Sequence, residues 1–401
     1  MRLCVPTNWQ TDLLGSLNKS KVVEIYGKLD SDPVGGGRPA FIMPHITMSG
    51  AKRYIRTVHR YGLKFNYLLN ATCLGNSEWS IVGQKRIRRF LDWLAVAGAD
   101  TVTVSIPYLL ELVRKCYPHF KTKVSVCAQV SNAAQAKYWE DLGADEIALS
   151  PWSVNRDFNA LRKIRQAVKC GLQLYANTRC LIGCPFADYH YSSLSHSSNS
   201  NGINGEFFID YCMYSCVYLA LLEPWRLIAS CWIRPEDLHY YESAGINSLK
   251  LSERGMNSED IRRIVGAYTA GKYDGNLMDL FPGHSKSLMN HGRHVWKKIK
   301  FFSHPFKLDI FKLRRFLAVI PRDEPVRLDN NKLGGFLDFF AAGRCRQGNC
   351  DECGYCRGIA EKALNIPDEY RNCMLGIYKE LLAEITGGGI FRINQSGEIS
   401  R

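Results

Sequence analysis

Up to about residue 280 the chain alternates between two kinds of apolar pattern. Short runs of β-branched and aromatic residues read as strands: "LCVP" from Leu3, "VVEIYG" from Val22, "KFNYLLN" from Lys64, "TVTVSI" from Thr101, "KVSVCAQ" from Lys123, "EIALS" from Glu146, "LQLYAN" from Leu172 and "SLKLS" from Ser248. A weaker ninth run, "RLIASCWI", starts at Arg226. Between most of these lie segments of helical period, "KRIRRFLDWLAVAG", "NAAQAKYWEDLG", "NRDFNALRKIRQAVKCG" and "PEDLHYYESAG", each closing on a glycine of the kind that ends helices.

Near-continuous apolar strands separated by helices imply a parallel sheet covered on both faces. About eight such units in some 270 residues predict an α/β fold, a (β/α)8 TIM-like barrel over residues 1–280, in preference to an open doubly wound sheet. No glycine-rich phosphate fingerprint follows the first strand, and "VGGGRP" from Val34 reads as a loop. The polar run "YSSLSHSSNSNGINGE" reads as a flexible insertion, about 187–211, between the seventh strand and the next element. After Gly283 the chain turns basic with interleaved aromatics, "HSKSLMNHGRHVWKKIKFFSHPFKLDIFKLRR". Residues 281–340 are expected to form a basic linker or helical region, and 341–401 a C-terminal cysteine-rich extension.

Composition narrows the class. At 46% hydrophobic and 22% charged, the 401-residue chain is an ordinary globular protein with ample length for a core. No secretory signal pattern opens it, and the most apolar window, "CVYLALLEPWRLIASCWI", is broken by Glu223, Pro224 and Arg226, so no membrane span and a cytoplasmic location are expected. Fifteen cysteines in such a chain favour metal or iron–sulfur ligation over disulfides. The net charge of +14 suggests an anionic partner such as RNA, although a solvated basic surface explains it equally well.

Two cysteine sets stand out. In "YANTRCLIGCPFADYH" an apolar run ends and Cys180 and Cys184 follow; Cys212 and Cys216 lie in "DYCMYSC", and Cys231 in "IASCWIRPEDL". In a barrel all five gather on the C-terminal rim, where active sites sit. Four thiolates there suit one 4Fe-4S cluster, with zinc or plain buried thiols as alternatives. The second set, "CRQGNCDECGYC", spaces Cys345, Cys350, Cys353 and Cys356 as C-x4-C-x2-C-x2-C, which wraps one metal centre, either a second cluster or zinc. Cys4, Cys73, Cys116, Cys127, Cys170 and Cys373 read as ordinary thiols. A radical S-adenosylmethionine motif is rejected, because its third cysteine would fall where Ala187 stands.

"VSVCAQVSNAAQAKYWEDLGADEIALSP" and "GINSLKLSERGMNSEDIRRIVGAY" resemble, in order and spacing, segments of the collagenase-like peptidase family U32. The resemblance spans most of residues 1–280 and implies a barrel with a four-iron four-sulfur cluster. It also implies oxygen-independent hydroxylation, because better-understood members act on ubiquinone precursors, transfer RNA uridine or ribosomal RNA cytidine, some with prephenate as oxygen source. Cys231 aligns with a family ligand, so the implied set is Cys180, Cys184, Cys231 and one of Cys212 or Cys216. The chain departs from the family in its short first cysteine spacing, the "SERGM" turn, the Ser/Asn insertion and the second cysteine set.

The expected activity is therefore iron–sulfur redox tailoring, hydroxylase-like, on RNA, a quinone precursor or a peptide. An electron-donor protein and a homologous partner subunit are the expected partners, and the C-terminal cluster would be the point of electron entry. Glu24, Gln129, Lys250, Glu253 and Arg254 at strand ends, and His190 and His196 on the insertion, are candidates for substrate contact or proton transfer. Asp188 and Glu206 are left as surface. The alternatives are a peptidase, for which no Ser-His-Asp, Cys-His or His-Glu-x-x-His pattern is visible, and a non-catalytic metal-stabilised nucleic-acid-binding protein.

Overall fold

The computed structural model describes residues 1–200, 208–282, 309, 311, 312, 315, 316, 325–345 and 349–391. Eight parallel strands close into one barrel: β1 (Arg2–Pro6), β2 (Val22–Gly27), β3 (Lys64–Leu69), β4 (Thr101–Val104), β5 (Lys121–Val124), β6 (Glu146–Ala148), β7 (Gly171–Tyr175) and β8 (Ser248–Lys250). Closure comes from β8 pairing β1, with Leu3 opposite Leu249 and Cys4 opposite Lys250. The expected (β/α)8 barrel is borne out, with all eight strands in place. Helices such as Met48–Arg60, Ile81–Ala97, Phe158–Ala167 and Ser258–Ala270 cover the outside.

Strand parity explains the barrel's two faces. Leu3, Val5, Ile25, Phe65, Val102, Ile147, Leu174 and Leu249 are fully buried and pack with the helices in the main core. The alternate residues, Cys4, Glu24, Asn66, Lys123, Glu146 and Lys250 among them, face inward and build a polar lumen. Lys123 Nζ lies 2.8 Å from Glu24 Oε1 and 2.5 Å from Glu146 Oε2. Cys4 and Asn66 donate to the same Glu24 oxygen at 2.6 and 2.9 Å.

Two strands differ from expectation. The fifth begins at Lys121, and Val126–Ala128 is a 3-10 turn started by the Ser125 hydroxyl, which accepts from the Cys127 amide at 3.2 Å. "RLIASCWI" is not a strand: Pro224 opens a short helix, Trp225–Ala229, and the chain then extends through Cys231. The insertion is more ordered than its composition suggested. Ala187–Ser197 is a helix, and Ser195, Ser197 and Ser198 are buried.

Most of the basic 281–340 segment, and with it the "HSKSLMNHGRH" stretch, lies outside the described residues. The described part from Pro325 onward packs into the barrel's own core through Leu328, Leu333, Phe336, Leu337 and Phe340. The C-terminal helix Asp368–Thr386 rests on the helix Tyr211–Leu222, with Met374, Tyr378 and Leu381 against Tyr214 and Leu221.

Candidate active site

The barrel mouth holds a cavity lined by Tyr26, Arg38, Asn70, Cys127, Tyr175, Tyr191, Lys250, Glu253 and Arg254. Lys250 ends β8, and its ammonium sits 4.3 Å from the centre of the Tyr26 ring and 6.0 Å from that of Tyr175. Among the described residues no carboxylate forms an ion pair with it. Burial pushes its pKa down to about 8. Arg254 is buried with Nη1 lacking an acceptor, and burial lowers its pKa as well.

Arg38 supplies the third cation and completes the roof. Its Nε donates to Glu253 Oε2 at 2.7 Å and its Nη2 to the Tyr175 hydroxyl at 3.3 Å. Burial opposes the Arg38 charge, but Glu253 more than offsets it and holds the pKa above the usual range. The glycines before Arg38 let the loop pass this closely. A Cβ on Gly36 would stand 2.6 Å from Asn70 Oδ1, and one on Gly35 (φ +85°) 2.3 Å from the Ser195 carbonyl. Asp32 pins the loop by accepting from the Val34 and Gly35 amides at 2.9 and 2.8 Å, and is itself paired with Lys28 and with Tyr67.

The rim thiols gather beside this cavity. Cys180 and Cys184 pack against the cluster of Trp152, Tyr175, Tyr191 and Cys127. The Cys231 amide donates to the Cys180 carbonyl at 3.2 Å, and Asn155 bridges β7 to this turn by donating to the carbonyls of Tyr175 (3.0 Å) and Cys231 (2.6 Å). A hydrogen bond from Cys231 lowers the Cys180 pKa despite burial, with Thr178 and His190 helping; burial and the bond to Cys180 raise that of Cys231. Cys216 is pushed up by burial, then by Cys180, Asp210 and Cys184. Cys212, pushed up to about 12 by burial, feels Asp210 and Cys184 but not Cys180. Cys216 is thus the better placed of the two. Among the described residues no three Cys, His, Asp or Glu side chains are grouped so as to hold a single metal ion.

The other candidates divide. Lys250, Glu253 and Arg254 share the mouth. Glu24 lies on the lumen floor, where burial is outweighed by Lys123 and by bonds from Cys4 and Asn66, which keep its pKa low. Gln129 bonds Asp188 at the exposed rim. His190 Nε2 lies 3.1 Å from Asp210 Oδ1, close to the start of the cysteine helix but without hydrogen-bond geometry. His196 lies near Gly75 and outside the cavity, and Glu206 lies outside the described residues. Cys345, Cys350, Cys353 and Cys356 line one pocket with Trp225, Phe339, Phe340 and Tyr355, without three of them being grouped so as to hold a single ion. Sequence reasoning missed Arg38, Tyr26, Tyr175, Tyr191 and Arg156. The glycine run before Arg38 was the one available signal, because it marks a close backbone approach.

The fold and site define a closed (β/α)8 barrel with a cationic mouth and a thiol-rich rim. The family model described as peptidase family U32 matches residues 44–177. Over 333 residues the chain is 28% identical to the "uncharacterized protease MJ1657" of Methanocaldococcus jannaschii, covering 83% of this chain and 86% of that one. The solved structure of the U32 peptidase Mk0906 is similar at 21% identity and a TM-score of 0.48, covering 63% of this chain and 93% of the other. The chain is thus similar to peptidase family U32 over residues 44–177 and to the Methanocaldococcus jannaschii relative along most of its length. No helix among the described residues is long and apolar enough to cross a membrane.

Proposed function

We propose that the chain is an iron–sulfur redox-tailoring enzyme, hydroxylase-like as its family resemblance implies, whose substrate presents an anionic group to the barrel mouth. The observation that carries this reading is convergence. Cys180 and Cys184 pack against Tyr175, Tyr191 and Cys127, which line a cavity holding three cations against one carboxylate; the Cys231 amide bonds the Cys180 carbonyl, and Cys216 lies within electrostatic reach of Cys180 and Cys184.

Those four thiols would hold the cluster. Four thiolates are the usual ligands of a 4Fe-4S cluster, and the family resemblance favours that group over zinc for this donor set. A cluster bound there supplies single-electron chemistry at the cavity edge. The chain's own residues do the rest. Arg254 and Lys250 attract and orient an anionic substrate group. Arg38, held by Glu253 and Tyr175, roofs the cavity, and Tyr26 and Tyr191 limit the entry of water. With its pKa at about 8, the Lys250 ammonium can release and retake a proton near neutral pH.

Anaerobic purification with iron, sulfide and zinc quantified per chain tests the reading. About four irons bound at the rim, lost in Cys180→Ser and Cys231→Ser, support it. A rim without iron after anaerobic reconstitution refutes it.

One observation favours a second reading, matching the names of the relatives. Cys180 has a lowered pKa beside His190, which contacts Asp210, an order of groups that thiol hydrolases use. Iron-independent peptide cleavage, blocked by a thiol alkylating agent and lost in His190→Ala, would select it.

A further inference from the structure

Arg156 is among the largest fully buried side chains, 2% exposed, and the rim chemistry does not account for it. Its guanidinium carbon lies 4.4 Å from the centre of the Trp232 ring, 4.9 Å from Phe336 and 5.4 Å from Phe340. Nη2 donates to the Ser230 carbonyl at 3.0 Å, immediately before Cys231, and the Tyr241 hydroxyl lies alongside. Nε and Nη1 are buried without an acceptor. No carboxylate among the described residues pairs with it. Aromatic faces offset only part of the cost of burying a cation, and among the described residues this charge has no negative side-chain partner.

The surroundings indicate where that partner sits. Phe340 lines the apolar pocket that carries Cys345, Cys350, Cys353 and Cys356, and Tyr355 of the same pocket stacks on Phe339 at 4.0 Å. On the opposite side the Ser230 carbonyl leads straight into the rim set. Four thiols around a pocket free of competing carboxylates are a soft donor set, and a metal–sulfur cluster on four thiolates carries net negative charge.

We infer that Cys345, Cys350, Cys353 and Cys356 hold a second iron–sulfur cluster, and that Arg156 is the buried counter-cation it shares with the cysteines of the barrel rim. The C-terminal cluster stands on its own residues; the shared counter-charge rests on the rim cluster proposed above. Arg156 is a positioning and field-setting residue, and its role is in the reduction potentials of the two centres.

The test uses the full chain, purified and reconstituted anaerobically, with metal analysis and a redox titration followed by electron paramagnetic resonance. The double variant Cys353→Ser/Cys356→Ser is expected to lose about half the iron and sulfide and one of two cluster signals. Cys180→Ser/Cys231→Ser should lose the other signal and keep this one, so failure at the rim and failure here are separable. Arg156→Met should move both potentials negative, because reduction adds negative charge beside a site that has lost a positive one; Arg156→Lys should restore most of the shift. Unchanged iron in the C-terminal double variant, or zinc in place of iron at that site, overturns the second cluster. A shift confined to one centre overturns the shared counter-charge. If Arg156→Met does not fold, potentials in Arg156→Lys close to those of the parent chain support the assignment, and potentials as far displaced as a lost charge would make them refute it.

Discussion

Replacing Lys250 by methionine is expected to stabilise the substrate-free protein while weakening its hold on anions. The ammonium is 8% exposed, rests on the Tyr26 ring and has no carboxylate partner among the described residues. Burial drops its pKa from 10.5 to about 8. At ~1.4 kcal/mol per pH unit, that drop is a penalty of about 3 kcal/mol on the charged form in the folded state. Methionine keeps the unbranched stem and removes the charge, so Lys250→Met should gain up to about 3 kcal/mol at pH 7, less the lost cation–π contact. The pH dependence gives the sharper test. Below pH 8 the lysine is charged in both folded and unfolded chains and the whole penalty is present. Between about 8 and 10.5 the folded chain has released the proton and the unfolded chain has not, so the parent protein gains stability as pH rises and the gap to the variant closes. Urea unfolding followed by circular dichroism at pH 7 and pH 10, on both proteins, measures the gap. A variant less stable than its parent at pH 7, or a gap that does not shrink with pH, refutes the reasoning.

Other perturbations follow from the same geometry. Cys216→Ser should lower rim iron while Cys212→Ser leaves it near parent level, because only Cys216 feels both Cys180 and Cys184; metal analysis after anaerobic reconstitution decides it. Glu24→Leu should cost about 3–5 kcal/mol in urea unfolding, because Lys123 and Asn66 lose a buried partner, and Glu24→Gln should cost less. Gly35→Ala should destabilise by about 1–3 kcal/mol in the same assay, since it adds left-handed strain to a clash with the Ser195 carbonyl; a neutral result would mean the loop does not close over the mouth as described.

The barrel was legible because its outward face is apolar on every strand, a signal that survives any error in strand ends. The fifth strand shows the limit. "KVSVCAQ" keeps apolar residues at Val124, Val126, Cys127 and Ala128, so its pattern does not mark where pairing stops. The stop comes from β4, whose partners end at Val124, and from the Ser125 hydroxyl turning the chain. "RLIASCWI" is a short, nearly continuous apolar run like a buried strand, yet Pro224 and the packing of Trp225 and Ile228 into the core make its first half helical. That Cys180, Cys184 and Cys231 lie on one rim followed from topology alone, since all three belong to the connection between β7 and β8. The choice between Cys212 and Cys216 did not, because both lie on one helix four positions apart and only its packed orientation separates them.

The cations show why a composition cannot locate a site. The chain carries 52 Lys and Arg residues, and nothing in the sequence separates the few that are buried from the many that are solvated. Arg38 becomes part of the mouth only because a glycine loop passes over Asn70 and because Glu253, 215 positions away, receives its guanidinium. Arg156 becomes a charge without a carboxylate only because Trp232, Phe336 and Phe340 close around it. Arg156 is buried at a cost that packing alone would not favour, whereas Arg38 is partly exposed and paired with Glu253. The anion-receiving sites proposed for this barrel therefore fall at the cations without a carboxylate among the described residues, Lys250 at the mouth and Arg156 behind the rim. The overall net charge of +14, which first suggested an anionic partner, carries no such positional information.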